Sequence, residues 1–113
     1  LINMFAFLSL IAMASAVYTV NVTIKCNNHP IPAHIELWES DLFDPDDKGD
    51  VALVADVKDY PVTLTVKDDE FFDMSPYLIV RLDKEQQNKV LKIKLDQIRG
   101  GNVERNADVC ANV

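Results

Sequence analysis

Apolar and polar residues alternate with a period of two along most of the chain after residue 17. Successive side chains of a strand point to opposite sides, so this alternation predicts strands with one buried face. The apolar set of the first predicted strand is Tyr18, Val20, Val22, Ile24 and Cys26. A turn is predicted at 27–32, where two asparagines tolerate left-handed backbone and two prolines fix φ.

Five further segments have strand character, and they are 33–39, 50–57, 61–67, 77–82 and 88–98. In the first of them, Ile35 and Leu37 face one side of the strand and His34, Glu36 and Trp38 the other. Segment 82–89 predicts a short turn, and 99–113 is polar, so we expect it to be irregular and held only at Cys110. No segment outside the N-terminal stretch has convincing helical spacing. Six or so short strands in one chain of 113 residues predict a single all-β domain, an antiparallel two-sheet sandwich.

The N-terminal stretch differs from the rest because residues 4–16 are uncharged and mostly apolar and end in Ala14-Ser15-Ala16. This pattern predicts a secretory signal peptide over 1–16, cut before Val17, with 1–3 as upstream sequence. The alternatives are a buried strand or a membrane anchor, although the run is short for a span of about 20 residues. The predicted domain is then 17–113, secreted and extracellular, and Asn21-Val22-Thr23 is a sequon for N-glycosylation.

The cysteine count is two, and an even pair in a secreted chain predicts one disulfide, Cys26–Cys110. Closing so long a loop contributes roughly 4.5 kcal/mol in the chain-entropy model. The net charge is −7, from 11 Lys and Arg against 18 Asp and Glu. A chain this acidic repels nucleic-acid phosphates, so we expect no nucleic-acid partner. It also repels anionic membranes unless a local basic patch or a bound cation intervenes.

Four aspartates, Asp41, Asp44, Asp46 and Asp47, cluster after the second predicted strand. Asp-rich loops can hold Ca²⁺, but Lys48 and Ala55 stand where an EF-hand loop needs an oxygen ligand and a glutamate. A solvated turn is favoured, and no metal or cofactor is expected. A carboxylate pair for glycoside hydrolysis would need an apolar cleft, and His29 and His34 are interpreted as exposed polar residues rather than catalysts.

Aromatic residues near this loop are the better candidates for contact with a ligand or partner. Trp38 is out of phase with the apolar face of its strand, and Phe71 and Phe72 cannot both point inward if their segment is extended. The alternative is that these are core residues on irregular segments. The candidate contact residues are therefore Trp38, Asp41, Asp44, Asp46, Asp47, Phe71 and Phe72.

Segment 22–47, VTIKCNNHPIPAHIELWESDLFDPDD, resembles the opening of the nematode transthyretin-like family. The matching residues are Cys26, Asn27, Pro30, Leu37, Trp38, Glu39, Asp44, Pro45, Asp46 and Asp47. Further on, Pro76, Tyr77, Leu78 and Ile79 are similar to a strand of that family, and Cys110 stands where its last cysteine falls. Two departures are the missing second cysteine pair near 77–85 and KDYP at 58–61 in place of an Asp-x-x-Gly turn, so the chain resembles a divergent member.

The resemblance implies a transthyretin-like, immunoglobulin-like sandwich of about seven strands, as a monomer or weak homodimer. It also implies a non-enzymatic extracellular binding protein that bridges or signals through its loops to a receptor or surface lipid. One alternative is a carrier of a small apolar ligand. Another is a hydrolase of the 5-hydroxyisourate type, but the C-terminal VCANV lacks the Tyr-Arg-Gly-Ser that this enzyme uses.

Overall fold

Eight strands form two sheets in the computed structural model of the chain, which describes residues 16–40, 45–68, 75–96 and 101–111. The strands are β1 (Ala16–Cys26), β2 (His29–Pro30), β3 (Ala33–Ser40), β4 (Asp47–Val54), β5 (Val62–Asp68), β6 (Ser75–Arg81), β7 (Val90–Lys94) and β8 (Gly101–Asp108). Two single-turn 3₁₀ helices, Val57–Asp59 and Lys84–Gln86, connect β4 to β5 and β6 to β7. No helix in these ranges is long and apolar enough to cross a membrane.

Sheet A is built around β1, which has neighbours on both edges. β8 runs parallel to it, with Val20 opposite Val103 and Ile24 opposite Ala107. β5 is antiparallel to β1, with Val20 opposite Leu64, and β2 is antiparallel to the end of β1. Sheet A is therefore a mixed sheet in which the first strand of the domain is central and the last strand is its parallel neighbour.

Sheet B has the order β4-β3-β6-β7 and is antiparallel throughout. Leu37 of β3 lies opposite Leu78 of β6, which in turn lies opposite Ile93 of β7. A β-bulge between β3 and β4 places Gly49 and Asp50 across from Leu37 alone. The extra residue shifts the alternation of β4 by one position. Lys48 and Val51, which are three residues apart, therefore lie on the same face of the sheet.

The two sheets pack face to face and enclose one hydrophobic core. Its buried residues are Tyr18, Val20, Val22, Ile24, Ala33, Ile35, Leu37, Val54, Leu64, Val66, Leu78, Val80, Leu82 and Ala107. Ten side chains of this set have an exposed fraction below 2%. The architecture is thus a β-sandwich, in which the longer strands contribute side chains of one face to the interior.

One predicted covalent link is present: Cys26 and Cys110 form a disulfide. It joins the end of β1 to the residues after β8. In the same region the carboxylate of Asp108 accepts hydrogen bonds from the backbone N–H groups of Asn27 and Asn28, both of which have positive φ. These contacts fix the β1–β2 turn against the end of β8.

The predicted all-β sandwich is confirmed, and so are the predicted strand at 33–39 and the short turn within 82–89. The expectation of an irregular tail is wrong, because Gly101–Asp108 forms β8 in parallel register with β1. Parallel pairing between the two ends of the chain leaves no local turn signal in the sequence. The sandwich is consequently not purely antiparallel. The run 50–57 also contributes less to the core than its composition indicates, since Val51 and Leu53 are exposed and only Val54 is buried.

Candidate functional site

The outer faces of the two sheets have different chemistry. On sheet A, the residues of β1, β5 and β8 that point away from the core are mostly Thr and Asn, and Thr19 and Thr65 are within hydrogen-bond distance of each other. On sheet B, the outer face combines cations, two aromatic rings and aliphatic side chains. We call this surface the aromatic–basic face; it consists of His34, Glu36, Trp38, Lys48, Val51, Leu53, Tyr77, Ile79, Arg81, Val90, Lys92 and Lys94.

Charge on the aromatic–basic face has the opposite balance to the chain as a whole. The four strands present Lys48, Arg81, Lys92 and Lys94 there, against the carboxylate of Glu36 and that of Asp46, which is hydrogen-bonded to Tyr77. The whole chain carries 11 basic and 18 acidic residues. A face with this local excess of cations provides a positive surface on an acidic protein, which attracts anionic groups.

A ladder of side chains crosses all four strands of this face. The rings of Trp38 on β3 and Tyr77 on β6 are stacked, with centroids 6.4 Å apart and an interplanar angle of 8°. Lys48 Nζ on β4 lies 5.6 Å from the Trp38 ring centroid, and Lys92 Nζ on β7 lies 4.3 Å from that of Tyr77. Each ammonium is within the range of a cation–π interaction. We call these four residues the cation–aromatic ladder.

The carboxylate of Glu36 is buried beneath this face, with a residue exposure of 7%. Its Oε1 accepts a hydrogen bond from Trp38 Nε1 at 2.9 Å and lies 3.8 Å from Lys48 Nζ. Its Oε2 lies 3.6 Å from Arg81 Nε and 3.6 Å from His34 Nδ1. The hydrogen bond from Trp38 lowers the pKa of Glu36 most, and the positive charges of Lys48 and Arg81 lower it further. Burial of the carboxylate opposes these effects. Glu36 is therefore an ionised acceptor at neutral pH, unsuited to donate a proton as a general acid.

Tyr77 connects the face to the end of the acidic segment, because its hydroxyl donates a hydrogen bond to Asp46 Oδ2. Burial, followed by this bond and by the charges of Asp46 and Glu39, raises the pKa of Tyr77 to about 12. Tyr77 is thus a neutral hydrogen-bond donor over the physiological pH range. The bond holds Asp46 beside the cation–aromatic ladder.

Two open grooves lie at opposite ends of the face. One has a volume of about 380 Å³ and is bounded by Ser40, Ser75, Tyr77, Lys92 and Lys94. The other has a volume of about 440 Å³ and is lined mainly by apolar side chains, with His34 and Arg81 at its edge: Pro32, Ala33, Leu53, Val54, Ala55 and Leu82. The first groove suits an anionic group and the second an apolar one.

The structure brings two of the predicted contact residues, Trp38 and Asp46, together beside Tyr77. Asp47 lies opposite Glu39, on the other side of sheet B from Trp38. Asp47 is an exposed residue that opens β4, so it belongs to a strand rather than to the predicted loop. The other predicted contact residues, Asp41, Asp44, Phe71 and Phe72, lie outside the described residues. Among the residues that the structure does describe, no group of three or more His, Cys, Asp or Glu side chains could hold a metal ion.

Asn21, the predicted glycosylation site, lies on the outer face of sheet A in the middle of β1. Its Oδ1 accepts a hydrogen bond from Thr63 Oγ1 at 2.6 Å, and its Nδ2 donates one to Asn102 Oδ1 at 3.3 Å. A glycan attached to Nδ2 would stand off sheet A, on the side of the sandwich opposite to the aromatic–basic face. Glycosylation would therefore leave that face open.

The sequence interpretation missed the basic members of the face and the role of Tyr77. Alternation in 90–95 does place Lys92 and Lys94 on the polar side of β7. The alternation of a single strand does not show how neighbouring strands are aligned. It is this alignment that brings Lys92 to Tyr77 and Lys48 to Trp38. The bulge at Gly49 hides Lys48 further, because it shifts the alternation of β4 by one residue.

The chain matches no family model, no curated protein and no solved structure. The role of the aromatic–basic face is therefore inferred from its geometry and charge alone.

Proposed function

We propose that the chain is a secreted, non-enzymatic extracellular binding protein, and that the aromatic–basic face is its contact surface. The observation that supports this most directly is the segregation of chemistry between the two outer faces. Sheet A presents mostly Thr and Asn, with Val17, Lys25, Lys67 and Glu104 among them, whereas sheet B presents four cations, a stacked Trp–Tyr pair and three exposed aliphatic residues. Trp, Tyr and Arg are the residue types most enriched among the energetically dominant positions of protein interfaces.

Exposed aliphatic side chains add to this argument. Five large hydrophobic side chains are exposed in the described residues, and three of them lie on this face: Val51 at 45%, Leu53 at 75% and Val90 at 56%. Covering apolar surface yields about 25 cal/mol per Å². A partner that covers these three side chains gains binding energy that the Thr and Asn of sheet A do not offer.

Secretion and membership of the transthyretin-like family are part of the proposal. They are supported by the two-sheet sandwich, by the Cys26–Cys110 disulfide and by the residues of 22–47 that resemble the family. The intact mass of protein secreted from a eukaryotic host is the test. We expect a chain that begins at Val17 and is two hydrogens lighter than the reduced form. Retention of 1–16 together with two free thiols would refute export.

The contact surface is tested by NMR titration of the ¹⁵N-labelled domain. Trp38 is the one tryptophan of the chain, so its indole N–H resonance reports directly on the face. The probes are an acidic peptide, phosphatidylserine-containing vesicles and the apolar dye 8-anilinonaphthalene-1-sulfonate. We expect at least one probe to shift the indole resonance and the amides of β3, β6 and β7. If none of the three probes changes these chemical shifts, or if the changes are confined to sheet A, the proposed surface is refuted.

A second candidate function is carriage of a small apolar ligand, favoured by the groove of about 440 Å³ beside Leu53. The dye arm of the titration separates the two functions. Carriage requires shifts at Leu53, Val54 and Leu82 that a Leu53→Asp substitution abolishes. Shifts centred on Trp38 and Tyr77 instead would favour a partner laid across the face.

A further inference from the structure

We infer that the partner of the aromatic–basic face is a short acidic polypeptide segment, with acidic residues at both ends and an apolar residue between them. This inference rests on the proposed function, since it names the partner of the same surface. Three observations carry it: the distribution of charge across the face, the position of the aromatic stack and the size of the face.

Three of the four cations stand on the two outer strands of sheet B, whereas Arg81 and the two aromatic rings stand on the inner ones. Lys48 is on β4, Lys92 and Lys94 are on β7, and Trp38 and Tyr77 lie between them. A segment that crosses the strands therefore meets positive charge at each end and ring surface at its centre. A complementary ligand therefore carries negative charge at both ends and an apolar group at its centre.

The two lysines of β7 are available to such a ligand. Within the described part of the chain, neither Lys92 nor Lys94 lies within ion-pair distance of a carboxylate, whereas Lys48 and Arg81 both approach Glu36. Lys92 and Lys94 also bound the groove of about 380 Å³, whose other polar groups include the side chains of Ser40 and Ser75. An acidic side chain in this groove would pair with ammonium groups that the described protein residues leave without a counter-ion.

The size of the face favours a segment over a folded domain. Four strands about 4.8 Å apart separate the outer strands by about 15 Å, a distance that roughly five extended residues cover. The three rows of side chains are separated by two intervals of about 7 Å along the strands, which gives a surface of only a few hundred Å². A stable interface between folded domains typically buries about 800 Å² on each partner. The face thus fits one chain segment laid across it.

A membrane surface fits less well. The exposed aliphatic residues Val51, Leu53 and Val90 lie on strands within a flat face rather than on a protruding loop that could enter a bilayer. The net charge of −7 repels an anionic bilayer over the rest of the molecule.

The test is a titration with the synthetic peptide EELFLEE, blocked at both ends, monitored through the emission and the indole resonance of Trp38. The matched peptide QQLFLQQ removes the charge and keeps the apolar centre. We expect saturable binding of the acidic peptide that weakens with added salt, and much weaker binding of the neutral one.

Charge-reversal variants locate the binding. Lys92→Glu with Lys94→Glu is expected to weaken binding of the acidic peptide about tenfold, since each exposed ion pair contributes only modestly to affinity. Lys58→Glu with Lys67→Glu changes the net charge equally at exposed positions of the 3₁₀ turn and of sheet A. We expect this control pair to change the affinity less than twofold, and an equal loss in both pairs would overturn the assigned location.

The outcomes separate the two proposals. If EELFLEE leaves Trp38 unchanged while phosphatidylserine vesicles or the apolar dye shift its resonance, the acidic-segment inference is overturned and the proposed surface stands. If none of the three probes affects Trp38, both fail. Equal affinity for EELFLEE and QQLFLQQ would likewise overturn the charge argument.

Discussion

Trp38 Nε1 donates a hydrogen bond of 2.9 Å to Oε1 of Glu36, two residues earlier on the same strand. Both side chains point to the outer face of sheet B, where the indole is stacked with the ring of Tyr77. The same carboxylate also attracts Lys48 and Arg81. One buried anion thereby orients the ring and two of the cations of the face.

Replacement of Glu36 tests this organising role. Glu36→Gln keeps an acceptor near Trp38 but removes the charge that faces Lys48 and Arg81. We expect the free energy of unfolding to fall by about 1–2 kcal/mol, as for loss of a hydrogen bond to a charged group. Urea unfolding followed by circular dichroism measures it. Glu104→Gln, on the exposed face of sheet A, is the control and should change stability by less than about 0.5 kcal/mol.

The same substitution has a defined pH dependence. Because the pKa of Glu36 is lowered by folding, its charge stabilises the folded state fully above the unfolded-state value of about 4.3. This contribution disappears as pH falls through the lower folded-state pKa. The stability difference between wild type and Glu36→Gln should therefore be constant near neutrality and shrink below about pH 4. A difference that grows on acidification would contradict the assigned direction.

The three tyrosines give a second pH prediction. Burial raises the pKa of Tyr60 and of Tyr77 to about 12, and it also raises that of Tyr18. A raised folded-state pKa stabilises the protein below about pH 10 and loses that contribution as pH rises further. In a spectrophotometric titration the folded protein should contain little tyrosinate at pH 10, whereas about half forms in urea. Half-ionisation at pH 10 without denaturant would refute the burial of these hydroxyl groups.

Gly49 is expected to tolerate no larger residue. A Cβ atom there would lie 2.6 Å from the backbone oxygen of Thr65 and 2.6 Å from Val66 Cβ, so β4 would have to move away from β5. Gly49→Ala should lower stability by about 1–3 kcal/mol, as for overpacking. Leu53→Ala on the same strand removes a larger but 75% exposed side chain and should cost less than about 0.5 kcal/mol. Urea unfolding of both variants provides the comparison, and a reversed order would contradict the packing of β4 on β5.

Removal of the disulfide should have the largest effect of these changes. Cys26 and Cys110 are 84 residues apart, and opening a loop of that length costs about 4.5 kcal/mol in the chain-entropy model. Unfolding of the Cys26→Ser, Cys110→Ser variant, compared with wild type with and without reductant, measures the effect. Wild type with reductant should match the variant. A loss below about 1 kcal/mol would mean that other contacts already order the two chain ends.

The alternation of apolar and polar residues was enough to predict most of the sandwich. A strand with one buried face shows this alternation within its own few residues. Tyr18, Ile35 and Leu37 are each predicted on the apolar side of a strand, and each is buried. β8 escaped prediction because its apolar residues are sparse and its parallel partner is the first strand of the sandwich. Pairing of that kind depends on the whole topology rather than on any window of sequence.

The candidate site was less accessible from sequence for the same reason. Trp38 stood out as a lone out-of-phase aromatic residue, whereas Tyr77, Lys48 and Lys92 are ordinary members of their own strands. They become a ladder only when four strands align in register. The bulge at Gly49 decides whether Lys48 joins this row, and a bulge has no reliable signature in a single sequence.

The central place of β1 has a consequence for synthesis of the chain. Both of its long partners lie later in the sequence, and β8 is its parallel neighbour. Until residues 101–108 have emerged from the ribosome, one edge of β1 has no partner strand and sheet A cannot close. A chain interrupted before β8 would expose the hydrogen-bonding groups of β1 to other chains, a situation that favours aggregation. Folding of sheet A therefore has to wait for the synthesis of β8.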